Sequence, residues 1–147
     1  MPIIRYPVGD NGIWVDEKGS SHRKYKILGR SEEGARIGPV TFYVEDFQHI
    51  LKQFESEFSV SNSQMVIEHY EHKDCLTLRI ATHERPSHIE ELNTAIIKML
   101  YRERHMFEEE IGKGKIHPIK IEWLNSEQLE INKRTGKLIQ IIDKRFK

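Results

Sequence analysis

Hydrophobic and polar residues follow two different periods along this chain, and the change of period marks out its elements. From Val44 onward, Phe47, Ile50, Leu51, Phe54 and Phe58 recur at three- and four-residue spacing, which predicts an amphipathic helix burying one face. Two strands are expected over residues 64–72 and 76–83. In the second, Leu76, Leu78 and Ile80 alternate with polar neighbours as on a half-buried strand, and Lys73-Asp74 between them reads as the tight turn of a hairpin. A long helix should follow. Ser87 is its expected N-cap, Glu90 completes a capping box and Pro86 lies just outside. Ile89, Leu92, Ile96, Met99, then Met106 or Phe107, and Ile111 hold its apolar stripe until Gly112 and Gly114 stop it. Ile119, Ile121 and Trp123 alternate in a third strand, and residues 138–142 make a last short one.

The first thirty residues behave differently. Short β-like runs, Ile3-Ile4-Arg5-Tyr6, Ile13-Trp14-Val15 and Tyr25-Lys26-Ile27-Leu28, are separated by the turn chemistry of Gly9-Asp10-Asn11-Gly12 and Lys18-Gly19-Ser20-Ser21. Residues 29–38 have little apolar content, several glycines and the acidic pair Glu32-Glu33, the character of an exposed loop that can change conformation. Val40-Thr41-Phe42-Tyr43 beyond it reads as a short strand. The order predicts an α+β fold: a small mixed sheet flanked by two main helices, with an N-terminal β arm (residues 1–30), a hinge loop (31–39) and a globular part (40–147).

Composition narrows the classes of function. Lys plus Arg and Asp plus Glu balance at 23 each, which removes the basic field expected of a nucleic-acid binder and any polybasic argument for membranes. With 37% apolar and 31% charged residues, a core is affordable and the surface is heavily charged. No window approaches the roughly 20 apolar residues of a membrane span, and Met1-Pro2-Ile3-Ile4-Arg5 lacks the features of a signal peptide, so a cytoplasmic protein is expected. The single cysteine, Cys75, excludes an internal disulfide and a cysteine-rich zinc site, and it reads as a structural thiol at a strand start. His69 and His72 lie three apart on a predicted strand, so they point to opposite faces, and no metal site is expected. Glu108-Glu109-Glu110 reads as a solvated helix face.

Candidate chemistry sits in three glycine-centred clusters. Arg5 and Asp10 bracket a turn at Gly9, and an aspartate exposed there can accept hydrogen bonds from a ribose diol, although a solvated Asp-Asn-Gly turn accounts for it alone. Arg30, in Gly29-Arg30-Ser31-Glu32-Glu33-Gly34, is by itself a surface cation. Lys137 follows Thr135-Gly136, between Lys133-Arg134 and the last strand. A lysine on such a loop can reach a phosphate or a developing oxyanion, and a hairpin turn with an exposed lysine is the plain alternative.

Taken together, the order and spacing of these clusters resemble the C-terminal part of the acyl-adenylate-forming (AMP-binding) enzymes, most closely the phenylacetate–coenzyme A ligase branch with its capsule-biosynthesis-like relatives. That branch carries a segment reading roughly P-[IL]-[IL]-R-Y-R-T-G-D, here residues 2–10. It then has G-R-S-D-D, here Gly29-Arg30-Ser31-Glu32-Glu33. Near its end comes G-K-[AL] with an apolar-Asp-basic-Arg tail, here Gly136-Lys137-Leu138 and Ile142-Asp143-Lys144-Arg145. Pro7-Val8 stands where the family usually has Arg-Thr, and Gly38-Pro39 where it has a basic residue followed by glycine.

The resemblance implies that Asp10 binds the ribose of ATP or the acyl-adenylate, that Arg30 supports the same nucleotide, that Glu32 is the hinge, and that Lys137 contacts the adenylate oxygens. It implies ATP with magnesium, an aryl or other carboxylic acid, and coenzyme A as the substrates of the parent enzyme. It also implies a large N-terminal adenylation domain as partner, so that this chain reads as the back part of a longer ligase and is inactive alone. The alternative expectation is a free-standing, non-catalytic binding or regulatory module that retains the fold. Under either reading the strand edge of the N-terminal arm can pair with a second copy of the chain.

Overall fold

The computed structural model of the chain describes residues 10–16, 19, 21, 22, 24–30 and 34–146. They belong to two units, one within Met1–Glu33 and one over Gly34–Lys147. The run Ile3-Ile4-Arg5-Tyr6 and the expected hinge residue Glu32 lie outside the described residues.

In the first unit, β1 (Asp10–Trp14) pairs antiparallel with β2 (Tyr25–Arg30), from Trp14 opposite Tyr25 to Asp10 opposite Arg30, with a register shift between Asn11 and Gly12. The ladder runs one step further, because the Val15 N–H donates to the Lys24 carbonyl at 2.9 Å. The Asp16 carboxylate accepts the Lys24 N–H at 2.7 Å and closes that end of the hairpin.

The second unit begins with a hairpin of β3 (Gly34–Ile37) and β4 (Val40–Tyr43). This corrects the expected loop: from Gly34 on, the segment is a strand that buries Ala35 and Ile37 beside Val40 and Phe42. Two inward apolar residues among glycine and arginine are too few to show a period, and only their neighbours in the core make them a strand. Gly38 turns the chain at a φ of 52°, and a Cβ there would meet Ile116 Cγ2 at 2.7 Å, so both backbone and space call for glycine.

Helix α1 (Val44–Lys52) buries Val44, Phe47, Ile50 and Leu51. It is shorter than its apolar spacing predicts, and Phe54 and Phe58 follow in turns with their rings stacked 6.3 Å apart. Strands β5 (Val60–Tyr70) and β6 (Lys73–Thr82) form the antiparallel centre of a four-stranded sheet. Their turn is Glu71-His72, at φ 48° and 63°, rather than the expected Lys73-Asp74. Two left-handed residues match the twist of the paired strands, and the shift places Asp74 inside β6, where other groups use its carboxylate.

The expected single long helix is two, α2 (Ile89–Glu103) and α3 (His105–Gly112). Leu92, Ile96 and Leu100 are buried at four-residue spacing, but the next position on that stripe is Arg104. There the backbone leaves the helix at φ −133° and ψ 72°, and the Arg104 guanidinium donates to Asp46 on α1 at 2.6 and 3.1 Å. None of residues 101–106 is fully buried, so packing does not hold those turns in one helix. Nor does Ser87 cap α2: the N-cap is His88, with no side-chain cap bond. Glu110 also departs from expectation. It is 5% exposed, on the buried face three residues from Phe107, with Lys113 and Lys115 at 3.4 and 3.2 Å from its carboxylate.

Strand β7 (Lys120–Leu124) lies parallel to β6, and β8 (Ile141–Asp143) parallel to β5, giving the order β7-β6-β5-β8 in a mixed sheet. This is the expected α+β architecture. One face of the sheet, with Met65, Ile67, Leu76, Leu78 and Ile80, joins the helices and the β3–β4 hairpin in a single core. Phe107 meets Phe42 edge-on there, with centroids 5.6 Å apart. The opposite face carries Gln64, Val66, Thr77 and Arg79, paired across the strands as Gln64 with Arg79 and Val66 with Thr77.

Candidate functional site

Between β7 and β8 the chain forms a small hairpin whose tip carries Lys137. The Ile139 N–H donates to the Glu130 carbonyl at 3.1 Å and the Asn132 N–H to the Lys137 carbonyl at 2.8 Å, so residues 130 and 139 form its base. At the tip the Asn132 carbonyl accepts the Gly136 N–H at 2.7 Å, and the Asn132 side-chain oxygen accepts the N–H of Arg134 at 3.0 Å and of Thr135 at 3.3 Å. This is the local turn chemistry that asparagine favours. Gly136 sits at a φ of 69°, which makes glycine the natural residue directly before Lys137.

The tip is cationic. Lys133, Arg134 and Lys137 are all exposed, and among the described residues none of them has a carboxylate within ion-pair distance. Three like charges in five residues repel one another and are relieved by an anion. Next to the hairpin, Leu138 and Gln140 border a groove of about 500 Å³, whose other wall is Gln48 and Lys52 of α1 and residues 61–63 of β5.

The base of the hairpin is held on the sheet. Gln64, 1% exposed, donates from its amide to the Glu130 carbonyl at 3.0 Å and to the Ile139 carbonyl at 2.6 Å. Its oxygen accepts Arg79 Nη1 at 3.2 Å and the Glu130 N–H at 3.4 Å. Arg79 also bonds Glu122 on β7 at 3.0 Å. Nothing in the sequence points to Gln64 except that it is a polar residue beside the apolar run Met65-Val66-Ile67.

A second polar cluster closes the end of the sheet near the Glu71-His72 turn. Asp74 accepts the Gly38 N–H at 2.8 Å, Arg145 Nη1 at 2.8 Å and a contact from His69 Nδ1 at 2.7 Å. Arg145 also makes a two-pronged pair with Asp143, at 2.6 and 2.9 Å. Burial pushes the Asp74 carboxyl up, but Gly38, His69 and Arg145 together outweigh it and hold the group below the usual carboxylate range. Asp143 is likewise held low, chiefly by Arg145. The cluster ties the β3–β4 turn, the central hairpin and the C-terminal segment to one another. Its sequence signal is the Asp143-Lys144-Arg145 tail, whose partner Asp74 reads from sequence only as a turn residue.

The remaining candidates lie in the other unit. Asp10 and Arg30 stand directly opposite each other in the β1–β2 register, so two residues twenty apart in sequence are brought to one rung of a hairpin. Lys137 belongs to the second unit. Among the described residues no group of three or more His, Cys, Asp or Glu is placed to hold a metal ion, and no helix is long and apolar enough to cross a membrane.

No protein-family model matches the chain, and no curated protein matches it in sequence. In structure it is similar to a domain of phenylacetate–coenzyme A ligase from Bacteroides vulgatus, with a TM-score of 0.53 and 15% identity, over 77% of this chain and 93% of that one. At that identity the likeness is one of fold: this chain and a phenylacetate–coenzyme A ligase domain share a related α+β architecture.

Proposed function

We propose that this chain is the mobile C-terminal domain of an AMP-forming acid–coenzyme A ligase of the phenylacetate type, with Lys137 as the cation it delivers to the adenylation step. The observation that carries the reading is the fold shared with a phenylacetate–coenzyme A ligase domain, 93% of which is covered. The cationic, glycine-turned tip that bears Lys137 supports it. The partner is a large adenylation domain that holds MgATP and the acid.

In the first half-reaction the acid's carboxylate attacks the α-phosphorus of ATP, the bond to the β-phosphate oxygen breaks, and pyrophosphate leaves. Attack brings two anions together. A lysine ammonium placed against the phosphate oxygens as charge builds up lowers that barrier electrostatically, and a long stem on a fixed hairpin suits a compact point charge. Asp10 accepts hydrogen bonds from the ribose hydroxyls, and Arg30, across the rung, supports the same nucleotide. Glu32 is the hinge about which the domain turns.

In the second half-reaction the thiol of coenzyme A attacks the acyl carbonyl of the adenylate, and AMP leaves. Rotation withdraws Lys137 and opens the space the thiol needs. The Gly38 N–H is committed to Asp74 and Pro39 has none, so neither of these two residues offers a free backbone N–H to the pantetheine arm.

The test is acid-dependent pyrophosphate release from MgATP with a panel of aryl and alkyl acids, by the chain alone and with an adenylation domain joined to it. The expected result is no release alone, release when the domain is joined, and a loss on the order of 100-fold in kcat for Lys137→Ala. Release by the chain alone would overturn the assignment as a dependent domain, and indifference to Lys137→Ala would remove the lysine from the mechanism.

A further inference from the structure

We propose that Gln64 is the positioning residue of the Lys137 hairpin: one buried carboxamide grips both legs of the hairpin and fixes where its cation is presented. The catalytic consequence rests on the reading of Lys137 given above, whereas the anchoring itself rests on geometry alone.

Burying a carboxamide is costly unless its hydrogen bonds are made. Gln64 has two N–H donors and an oxygen with two lone pairs, and all of this capacity is used. The donors go to the carbonyls of Glu130 and Ile139, at 3.0 and 2.6 Å, and the oxygen takes the Glu130 N–H and Arg79 Nη1, at 3.4 and 3.2 Å. Glu130 and Ile139 are the two base residues of the hairpin, already joined by a backbone bond of 3.1 Å. A side chain that merely filled space between Val66 and the crossover would be apolar. Three of these four bonds reach the hairpin, and the fourth recruits Arg79, which is itself held by Glu122 of β7.

The effect is an anchored base under an exposed tip. From Ile139 the ladder passes to the Asn132–Lys137 rung at 2.8 Å, so the backbone of Lys137 stands two residues from the clamp. A lysine side chain is long and mobile, and its charge is useful in a transition state only if its root is placed to within a fraction of an ångström. Hydrophobic contact could not fix that root, because apolar packing has no direction along the sheet, whereas paired N–H···O=C bonds do.

The experiment compares Gln64→Glu and Gln64→Met in the full chain. Glutamate keeps the size but has no donor when ionised and turns an anion toward two carbonyls. Methionine keeps the volume without polarity and guards against a folding failure of the first variant. Amide hydrogen exchange should rise at least tenfold at Asn132, Gly136 and Ile139, with the β5–β6 ladder unchanged. Exchange that is unchanged at the hairpin, or that rises equally through the sheet, would overturn the proposal.

With the adenylation domain joined, Gln64→Glu should lower kcat at least tenfold at unaltered KM for ATP and acid. The double variant Gln64→Glu/Lys137→Ala should be no slower than Lys137→Ala alone, because Gln64 acts through Lys137. Additive losses would overturn the positioning role. Faster hairpin exchange together with a silent Lys137→Ala would sustain the anchor and discard the lysine's part in catalysis.

Discussion

The two faces of the four-stranded sheet are held in different ways. On one, Met65, Ile67, Leu78 and Ile80 meet Phe42, Ile96, Leu100 and Phe107, all at most 1% exposed, and the helices are kept mainly by apolar area, with the Arg104–Asp46 pair and the Trp123 indole N–H donated to Asn93 as polar ties. On the other, the crossover from β7 to β8 is kept by the bonds of Gln64 and Arg79, with Leu129 and Ile142 as the buried apolar contribution. Area gives stability and tolerates small displacements of what it covers. Directional bonds add little net stability, but they specify position, because each is worth something only at its own distance and angle. The face built for position carries the exposed cationic hairpin, and the face built for stability carries none of the candidate chemistry.

Mutations can break that contrast, beginning where the effect is largest. Phe107→Ala on the apolar face should cost about 3–5 kcal/mol, seen as a lowered urea midpoint with every probe moving together. A loss under about 1 kcal/mol would mean that α3 is not part of the cooperative core.

Next comes Asp74, a directional clamp placed on the apolar side of the sheet. Removing it with Asp74→Ala strips acceptors from Gly38, His69 and Arg145, at about 1–3 kcal/mol. Its pH signature separates it from apolar sites. The folded-state pKa values of Asp74 and Asp143 lie below their unfolded ones, so their contribution is complete above the unfolded value, about 4. It is lost as pH falls through 4 toward the folded values. Urea midpoints measured from pH 6 down to 2.5 should fall for the parent chain and fall less steeply for Asp74→Asn. Equal slopes would show that the clamp does not titrate with unfolding.

A smaller effect is expected from Asn132→Ala at the hairpin tip, about 0.5–1 kcal/mol or less, confined to faster exchange of the Arg134 and Thr135 amides. The smallest belongs to Lys137→Ala, within about 0.5 kcal/mol of the parent by thermal melting, because the residue is exposed and its side chain fills no core space. A large destabilisation there would mean that Lys137 holds the fold together, and the contrast between the two faces would collapse.

Much of the architecture is legible in the residue pattern. The period of Phe47, Ile50 and Leu51 marks α1, the alternation of Leu76, Leu78 and Ile80 marks β6, and Ile121 and Trp123 mark β7. The misreadings share one cause. Lys73-Asp74 has turn chemistry, yet Asp74 is drawn into β6 by Gly38 and Arg145. Residues 89–112 keep helical spacing, yet Arg104 breaks out to reach Asp46 on α1. Glu110 belongs to a run of acids, yet packing turns it inward. For Asp74 and Arg104 a partner far along the chain outweighs a local preference of about 1 kcal/mol or less, and for Glu110 the packing of its helix face does. The candidate site divides in the same way. Lys137 shows itself by the glycine before it, while Gln64 is one polar letter in a strand and shows itself only through Glu130 and Ile139, which lie far along the chain.

The sequence by itself therefore determined what depends on neighbours within a turn or two: the α+β class, the succession of α1, β5, β6, a helical stretch and β7, and the glycine turn that exposes Lys137. The tertiary structure alone decided which edge β7 and β8 take, where the long helix breaks, that Asp10 and Arg30 share a rung, and that one buried glutamine carries the hairpin. Periodicity records which side of an element faces inward. It does not record which distant carbonyl a buried amide will find, because that choice is made only when the whole sheet has closed around it.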